Sequence, residues 1–264
     1  MNCHADLAYT VLGPACDERS PNPTNNLSRP PLVPPVLCFH GSGTSSHYDT
    51  WLPLIKETSR FAPVLFHERR GVRASASTDP HHPRDALQDL LDLLQHVDLQ
   101  PPYILVAHSY GGTFAREFLQ QYPDQVAGVV LAETGQETPT KHDEEQYRRQ
   151  ALGKKPLSVI HADSLYEKRK AITSDAGLDL LRKWTDEDER LKKAQLQLSS
   201  NARYVRVEDC GHDIVRHRPL VVSEEVKWVI SNLKPAEQTS KVRLRDAGEY
   251  LRARISRLRR QEKN

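Results

Sequence analysis

A serine flanked by small residues stands where a strand-like run meets a helix-like run. The segment YILVAHSYGG covers residues 103–112, and TFAREFLQQY follows it directly. A strand that turns sharply into a helix holds a side chain in a strained, exposed position only if the residues two before and two after it are small. Ala107 and Gly111 meet this condition, although Ala stands where Gly is more usual. The pattern predicts that Ser109 is a nucleophile, with an ordinary turn serine as the alternative.

A histidine that could activate this serine follows the last strand-like run. A serine hydroxyl is a poor nucleophile until a nearby imidazole takes its proton. The chain holds twelve histidines, so a histidine alone would mean little. His212, however, ends the segment VRVEDCGH at residues 205–212, after a strand pattern and a glycine and before a helix pattern. We therefore predict that His212 is the general base.

A third segment, VLCFHGSG at residues 36–43, is a strand-like run that ends in a glycine-containing turn. Acyl transfer passes through an oxyanion, which needs backbone N–H donors in a dry site. The candidate donors are the amides of Ser42 and of Tyr110, the residue after the proposed nucleophile. The alternative is a purely structural glycine turn, and we expect His40 to order this loop.

Strand and helix patterns alternate along the chain, which favours an α/β fold with a doubly wound sheet. Several of the strand-like runs are apolar on both faces, as in parallel strands buried between helices. The predicted strands cover residues 32–39, 63–66, 103–107, 126–132, 156–160 and 202–207, after a short first strand or pair of strands around 8–12. The predicted helices cover residues 48–60, 84–97, 112–122 and 219–232.

From about residue 36 to residue 233 the sequence resembles the α/β-hydrolase superfamily. The resemblance rests on HGSG, then ERRG at 68–71, then AHSYGG, then CGH, in that order. It implies a mostly parallel central sheet flanked by helices, a small helical lid, and a Ser–acid–His triad whose serine and histidine are Ser109 and His212. A serine at the nucleophile position argues against an epoxide hydrolase or a dehalogenase, which need an aspartate there.

The acid of the triad has more than one candidate. Members of the superfamily usually place the acid after the strand that is PLSVIHADS here, about two residues past a first acid. In this chain Asp163 is the first acid, but Ser164 and Leu165 follow it, so the expected second acid is missing. Other members place it at the end of the preceding strand, where VVLAETG offers Glu133. A glutamate at that strand tip is long enough to reach the same imidazole nitrogen. We favour Glu133 as the acid, with Asp163 as the alternative and Asp209 as a third candidate.

These residues predict a serine hydrolase of the esterase, lipase or thioesterase kind. It would cleave an ester, lactone or thioester of a small organic substrate through an acyl-enzyme on Ser109. Carbon–carbon bond hydrolysis, acyl transfer or cyclisation at the same site are alternatives, since a closed pocket replaces water with another nucleophile. A different class of protein also stays open: a hydrolase-derived, non-catalytic ligand-binding protein.

Composition limits the partners and the compartment. The net charge is +2, which does not favour nucleic acid or an anionic membrane as the partner of the whole molecule. No apolar run approaches the roughly 18 residues of a membrane span, and neither a signal peptide nor metal-binding cysteine spacing is present. We expect a cytoplasmic protein without cofactor or metal, acting on a small-molecule acyl substrate; the oligomeric state stays open.

We expect a hydrolase domain at residues 1–234 and a basic, helical extension at 235–264. The extension packs many Arg and Lys with apolar residues at partly helical spacing. Lid or cap elements are expected at about 135–155 and 164–200, where Trp184 faces the substrate or anchors the lid. His81 and His82 lack a third ligand at metal-site spacing, and we expect them to be exposed.

Overall fold

The computed structural model describes residues 2–4, 7–13, 33–72, 75, 83–135, 140–169 and 171–234. The predictions for the basic extension at 235–264 and for His81 and His82 lie outside these residues. No helix in the described part of the chain combines the length and the apolar character that crossing a membrane requires.

The described residues build one sheet of eight strands in the order β1-β2-β4-β3-β5-β6-β7-β8. The strands β1 and β2 run antiparallel to their neighbours, and the other neighbouring pairs are parallel. The bounds are β1 (Asn2–His4), β2 (Leu7–Leu12), β3 (Val36–Phe39), β4 (Val64–His67), β5 (Tyr103–His108), β6 (Val126–Ala132), β7 (Gly153–Ala162) and β8 (Ser199–Val207).

Helices cover both faces of the sheet. They are α1 (Tyr48–Thr58), α2 (Pro83–His96), α3 (Gly111–Gln121), α4 (Lys141–Arg148), α5 (Tyr166–Arg169), α6 (Asp175–Ala194), α7 (Ile214–His217) and α8 (Pro219–Ser231). One apolar cluster joins α2, α3 and α4 to one face, and a second joins α1, α7 and α8 to the other. Every residue of β3 to β6 is buried, because these strands lie between two helical layers. The expected α/β fold with a mostly parallel sheet is confirmed.

The two stretches expected to form a lid contain more regular structure than their composition indicates. β7 begins at Gly153 and β8 at Ser199, so the ends of both stretches belong to the sheet. Helix α4 is fixed to α3, because the Arg116 guanidinium donates hydrogen bonds to the side chains of Gln146 and Tyr147. Helix α6 buries Leu181 and Leu191. That these helices act as a lid stays a prediction.

The register of the parallel strands brings four chain segments to one edge of the sheet. His108 at the end of β5 pairs with Ala132 at the end of β6, and Ala162 of β7 pairs with Val207 of β8. The carboxyl ends of parallel strands are where α/β proteins place their ligand sites. The residues that follow these four strands are therefore the ones to examine for chemistry.

Candidate active site

Ser109 occupies a strained turn between β5 and α3. Its φ angle is +52°, in the left-handed region that non-glycine residues rarely adopt. The Ser109 N–H donates to the carbonyl of Ala132 at 3.3 Å, and the Ser109 carbonyl accepts from the N–H of Gly112 at 2.9 Å. The turn lifts the side chain out of the sheet at the edge where the strands end, as a nucleophile elbow does.

The chain can make this turn only because the residue two positions after the serine is a glycine. A Cβ atom added to Gly111 would lie 1.9 Å from the carbonyl oxygen of Phe39 and 2.8 Å from that of His40. Both obstacles are backbone atoms of the β3 end, which cannot rotate away. The close approach of α3 to that loop therefore requires glycine at this position.

His212 is held next to the elbow by the residue that precedes the serine. The buried Nε2–H of His108 donates to the carbonyl oxygen of His212 at 2.8 Å, and the centroids of the two rings are 4.9 Å apart. Burial, helped by the nearby His212, lowers the pKa of His108 to about 4. His108 is therefore neutral at physiological pH and serves as a hydrogen-bond donor that fixes the loop of His212 at the end of β5.

Glu133 immediately follows β6 and is the carboxylate in contact with His212. Its side chain is fully buried, its φ angle is +54°, and its Oε2 lies 3.2 Å from Nδ1 of His212. The other carboxylate oxygen accepts the N–H of Ala162 at 2.7 Å, and Oε2 also accepts the hydroxyl of Ser164 at 2.8 Å. A neutral imidazole that donates from Nδ1 keeps Nε2 as its proton acceptor.

Opposing effects set the charge of Glu133. Burial acts to raise the pKa of this carboxyl group, but the hydrogen bond with His212, the positive charge of Lys192 and the hydroxyl of Ser164 outweigh it, and the pKa lies below its ordinary value. The Lys192 Nζ lies 3.6 Å from Oε1, and both side chains are fully buried. Glu133 is thus an ionised carboxylate inside the protein.

The other two acid candidates are engaged elsewhere. The carboxylate of Asp163 accepts hydrogen bonds from the Arg169 guanidinium at 2.9 and 3.0 Å and from the N–H of Leu165 at 3.1 Å. Asp209 forms an ion pair with Arg218 at 2.7 Å. Of the three acids, the structure brings Glu133 to the imidazole of His212.

The loop that carries the candidate oxyanion donors is fixed by an arginine of the ERRG segment. Arg69 donates to the carbonyls of His40 at 2.6 Å and of Gly41 at 2.8 Å, and its guanidinium lies 4.2 Å from the ring centroid of Phe114. The buried His40 ring orders the same loop, since Nδ1 donates to the Gly41 carbonyl and Nε2 accepts the N–H of Arg69. The next residue of the segment, Arg70, forms an ion pair with Asp89 at 2.7 Å.

The two proposed oxyanion donors belong to the segments that follow β3 and β5. Ser42 follows Gly41 directly, and Tyr110 is the N-cap of α3. The first N–H groups of a helix have no partner inside the helix, so they point outward as donors. The helix dipole adds a partial positive charge at the same end.

Sequence reasoning missed a group of buried polar residues behind Glu133. Lys192 and Asp188 on α6 form a buried ion pair, and Asp188 Oδ2 lies 3.0 Å from Nε2 of His161 on β7. Trp184, expected on a lid, lines a small cavity beside them. Trp184, Asp188 and Lys192 follow each other at intervals of four, which places them on one helix face. The same face carries Leu181 and Leu191, which are buried. The spacing of Asp188 and Lys192 with these leucines is the sequence signal that could have indicated their burial.

Comparisons with known proteins agree with this architecture. A model of the α/β hydrolase fold matches residues 34–157. The uncharacterised protein YqjL of Bacillus subtilis is 26% identical over 198 residues, which are 69% of this chain and 78% of that protein.

Two solved structures share the fold at low sequence identity. A thermophilic esterase from Thermogutta terrifontis is 15% identical, with 86% of this chain and 94% of that chain covered and a TM-score of 0.52. The enol-lactonase from Burkholderia xenovorans LB400 is 15% identical, with 85% and 96% covered and a TM-score of 0.52. The chain therefore has the α/β-hydrolase fold.

The close approach at Gly111 predicts a large loss of stability on adding one methyl group. We expect Gly111→Ala to lower the free energy of unfolding by about 2–3 kcal/mol, because the Cβ meets two backbone carbonyls that must move. Gly153→Ala is the matched control: its φ is +59° and an added Cβ has open space around it, so it should cost only about 1 kcal/mol. Urea denaturation measures both, and equal losses would contradict the steric explanation.

Proposed function

We propose that this protein is a serine hydrolase in which Ser109 is the nucleophile, His212 the general base and Glu133 the acid of the triad. The observation that carries the proposal is the contact of Glu133 Oε2 with His212 Nδ1, at 3.2 Å, beside a serine in a left-handed turn. A buried carboxylate that orients an imidazole next to a strained serine is the arrangement that acyl transfer requires.

In the proposed reaction, Nε2 of His212 takes the hydroxyl proton of Ser109 while Oγ attacks the substrate carbonyl. The ionised Glu133 stabilises the imidazolium that forms, without taking its proton. The imidazolium then gives the proton to the leaving alkoxide or thiolate, which leaves an acyl-enzyme on Ser109. In the second half, His212 takes a proton from water as the water oxygen attacks the acyl carbonyl. The bond from the acyl carbon to Ser109 Oγ then breaks while the imidazolium returns its proton to Oγ, and the carboxylic acid is released.

The oxyanion of each tetrahedral intermediate would lie at the end of β3, within reach of the N–H groups of Ser42 and Tyr110. Arg69 supports this assignment, because it anchors the carbonyls of the two residues just before Ser42 and so fixes the position of the loop. Donors that are already aimed at the developing charge stabilise the transition state without reorganisation.

The proposed substrates are small carboxylic esters, lactones or thioesters. An esterase and an enol-lactonase share this fold, which makes ester and lactone carbonyls the first to test. The same triad would serve carbon–carbon bond hydrolysis, acyl transfer or cyclisation, and these become outcomes of a substrate screen. We further propose that the stretches 135–155 and 164–200 determine which substrate is accepted.

A fluorophosphonate probe tests whether Ser109 is activated. We expect the folded protein to be labelled at Ser109, and Ser109→Ala to abolish both labelling and hydrolysis of p-nitrophenyl acetate. The exposed Ser231, whose hydroxyl donates to the Lys227 carbonyl, provides the control, since Ser231→Ala should keep full labelling. Mass spectrometry of the labelled peptide locates the adduct. A folded wild-type protein that stays unlabelled would favour the non-catalytic binding protein instead.

Substitution of the two acids tests which of them completes the triad. Glu133→Gln should lower kcat on the order of 10⁴-fold, as loss of a triad acid does elsewhere. Asp163→Asn should cost far less, because that carboxylate is held by Arg169. Steady-state kinetics on one soluble ester compares the variants, and a greater loss in Asp163→Asn than in Glu133→Gln would show that the acid is misassigned.

A further inference from the structure

A fully buried lysine lies behind the proposed catalytic acid. Lys192 projects from α6, its ammonium group binds Oδ1 of Asp188, and it lies 3.6 Å from Oε1 of Glu133. The hydroxyl of Ser164 bridges the two carboxylates, at 2.8 Å from Glu133 and 3.1 Å from Asp188. We call Lys192, Asp188 and Ser164 the α6 charge cluster.

Burial of the α6 charge cluster is costly, and apolar packing would avoid that cost. Removing an ammonium and a carboxylate from water costs several kcal/mol for each ion, which their attraction repays only in part. On the same helix, Leu181 and Leu191 supply ordinary apolar packing. The charges of Lys192 and Asp188 are therefore not needed to attach α6. What sets them apart is that Lys192 contacts Glu133 directly, while Asp188 is linked to Glu133 through Lys192 and the Ser164 hydroxyl.

We propose that Lys192 and Asp188 are positioning residues for the triad: Lys192 keeps Glu133 ionised and oriented, and the two opposite charges together set the pH dependence of the reaction. This inference rests on the proposed function, since it concerns the same triad. Lys192 acts on the reaction only through Glu133 and contacts neither the serine nor the histidine in the hydrogen bonds described above.

Within the cluster, Asp188 carries a negative charge throughout the range of activity, since burial is outweighed by the hydrogen bonds of His161 and Lys192 and its pKa falls to about 2. Other titratable or charged side chains surround the cluster and stay unchanged in the test. From further elements these are His161 on β7, Tyr204 and Arg206 on β8, His108 on β5, and Cys210 and His212 after β8.

The two charges should move the acid limb of the kcat/KM profile in opposite directions. The positive charge of Lys192 disfavours uptake of a proton by the Glu133–His212 pair, so its removal should move the limb upward. The negative charge of Asp188 partly neutralises Lys192, so its removal should move the limb downward. The limb reports this proton uptake because the base must be neutral to accept the serine proton.

The pH profile of kcat/KM for p-nitrophenyl acetate measures these shifts. Lys192→Met should move the acid limb upward by roughly one pH unit, and Asp188→Asn should move it downward by a smaller amount. Lys192→Arg should keep the limb near its wild-type position because it keeps the charge. The control is Lys193→Met, since Lys193 is the next residue, is half-exposed and pairs with Glu189 at 2.5 Å, and its loss should leave the limb in place.

The outcomes separate this inference from the proposed function. A wild-type protein that neither hydrolyses esters nor reacts with a fluorophosphonate defeats the proposed function itself. An active wild type whose acid limb stays in place in Lys192→Met and Asp188→Asn, or moves in the same direction in both, overturns the role of the α6 charge cluster alone. If Lys192→Met does not fold, the downward shift in Asp188→Asn decides, and its absence refutes the proposal.

Discussion

The hydrogen bond between Glu133 and His212 is the contact on which the rest of the site depends. The negative charge of a fully buried carboxylate must be stabilised by hydrogen bonds or by a positive charge. Otherwise the carboxylate takes up a proton and no longer stabilises an imidazolium. Here the compensation comes from the N–H of Ala162, the hydroxyl of Ser164 and the ammonium of Lys192. The loop after β7 and helix α6 are therefore part of the site, although neither supplies a member of the proposed triad.

Backbone strain is concentrated at the tips of two adjacent strands. Ser109 follows β5 and Glu133 follows β6, and both have φ angles in the left-handed region, +52° and +54°. The N–H of Ser109 donates to the carbonyl just before Glu133, which links the two turns. Such conformations cost about 1–3 kcal/mol each and persist where the surroundings impose them. The paired strands and the glycine at position 111 are what impose them here.

The elements that could be predicted from the sequence are those determined by residues close together in the chain. Buried parallel strands are continuous apolar runs, so the strands at 103–107 and 126–132 were located almost to the residue. β7 was predicted too short, because its first residues include the exposed Lys154 and are polar. The motifs around Ser109 and His212 could be recognised in the sequence because each requires small neighbouring residues at fixed spacing. That Glu133 reaches His212 follows from the register of β6, which no single segment reveals.

The parts that could not be predicted depend on partners far away in the chain. Lys192 and Asp188 share a helix face with the buried Leu181 and Leu191, but that spacing does not reveal their partners Glu133 and His161. Arg69 donates to two backbone carbonyls at the end of β3, which nothing in the ERRG segment indicates. In both cases the side chain serves a neighbour that folding, and not spacing, supplies.

The most direct test of the central contact is proton NMR of the protein with ¹⁵N-labelled histidine, recorded as the pH is lowered. A proton shared between Nδ1 of His212 and the Glu133 carboxylate gives a strongly low-field resonance, and Asp188→Asn removes the competing signal of His161. We predict a ¹⁵N-coupled low-field line that disappears in His212→Asn and in Glu133→Gln. A line that survives Glu133→Gln and is lost in Asp163→Asn would contradict the account.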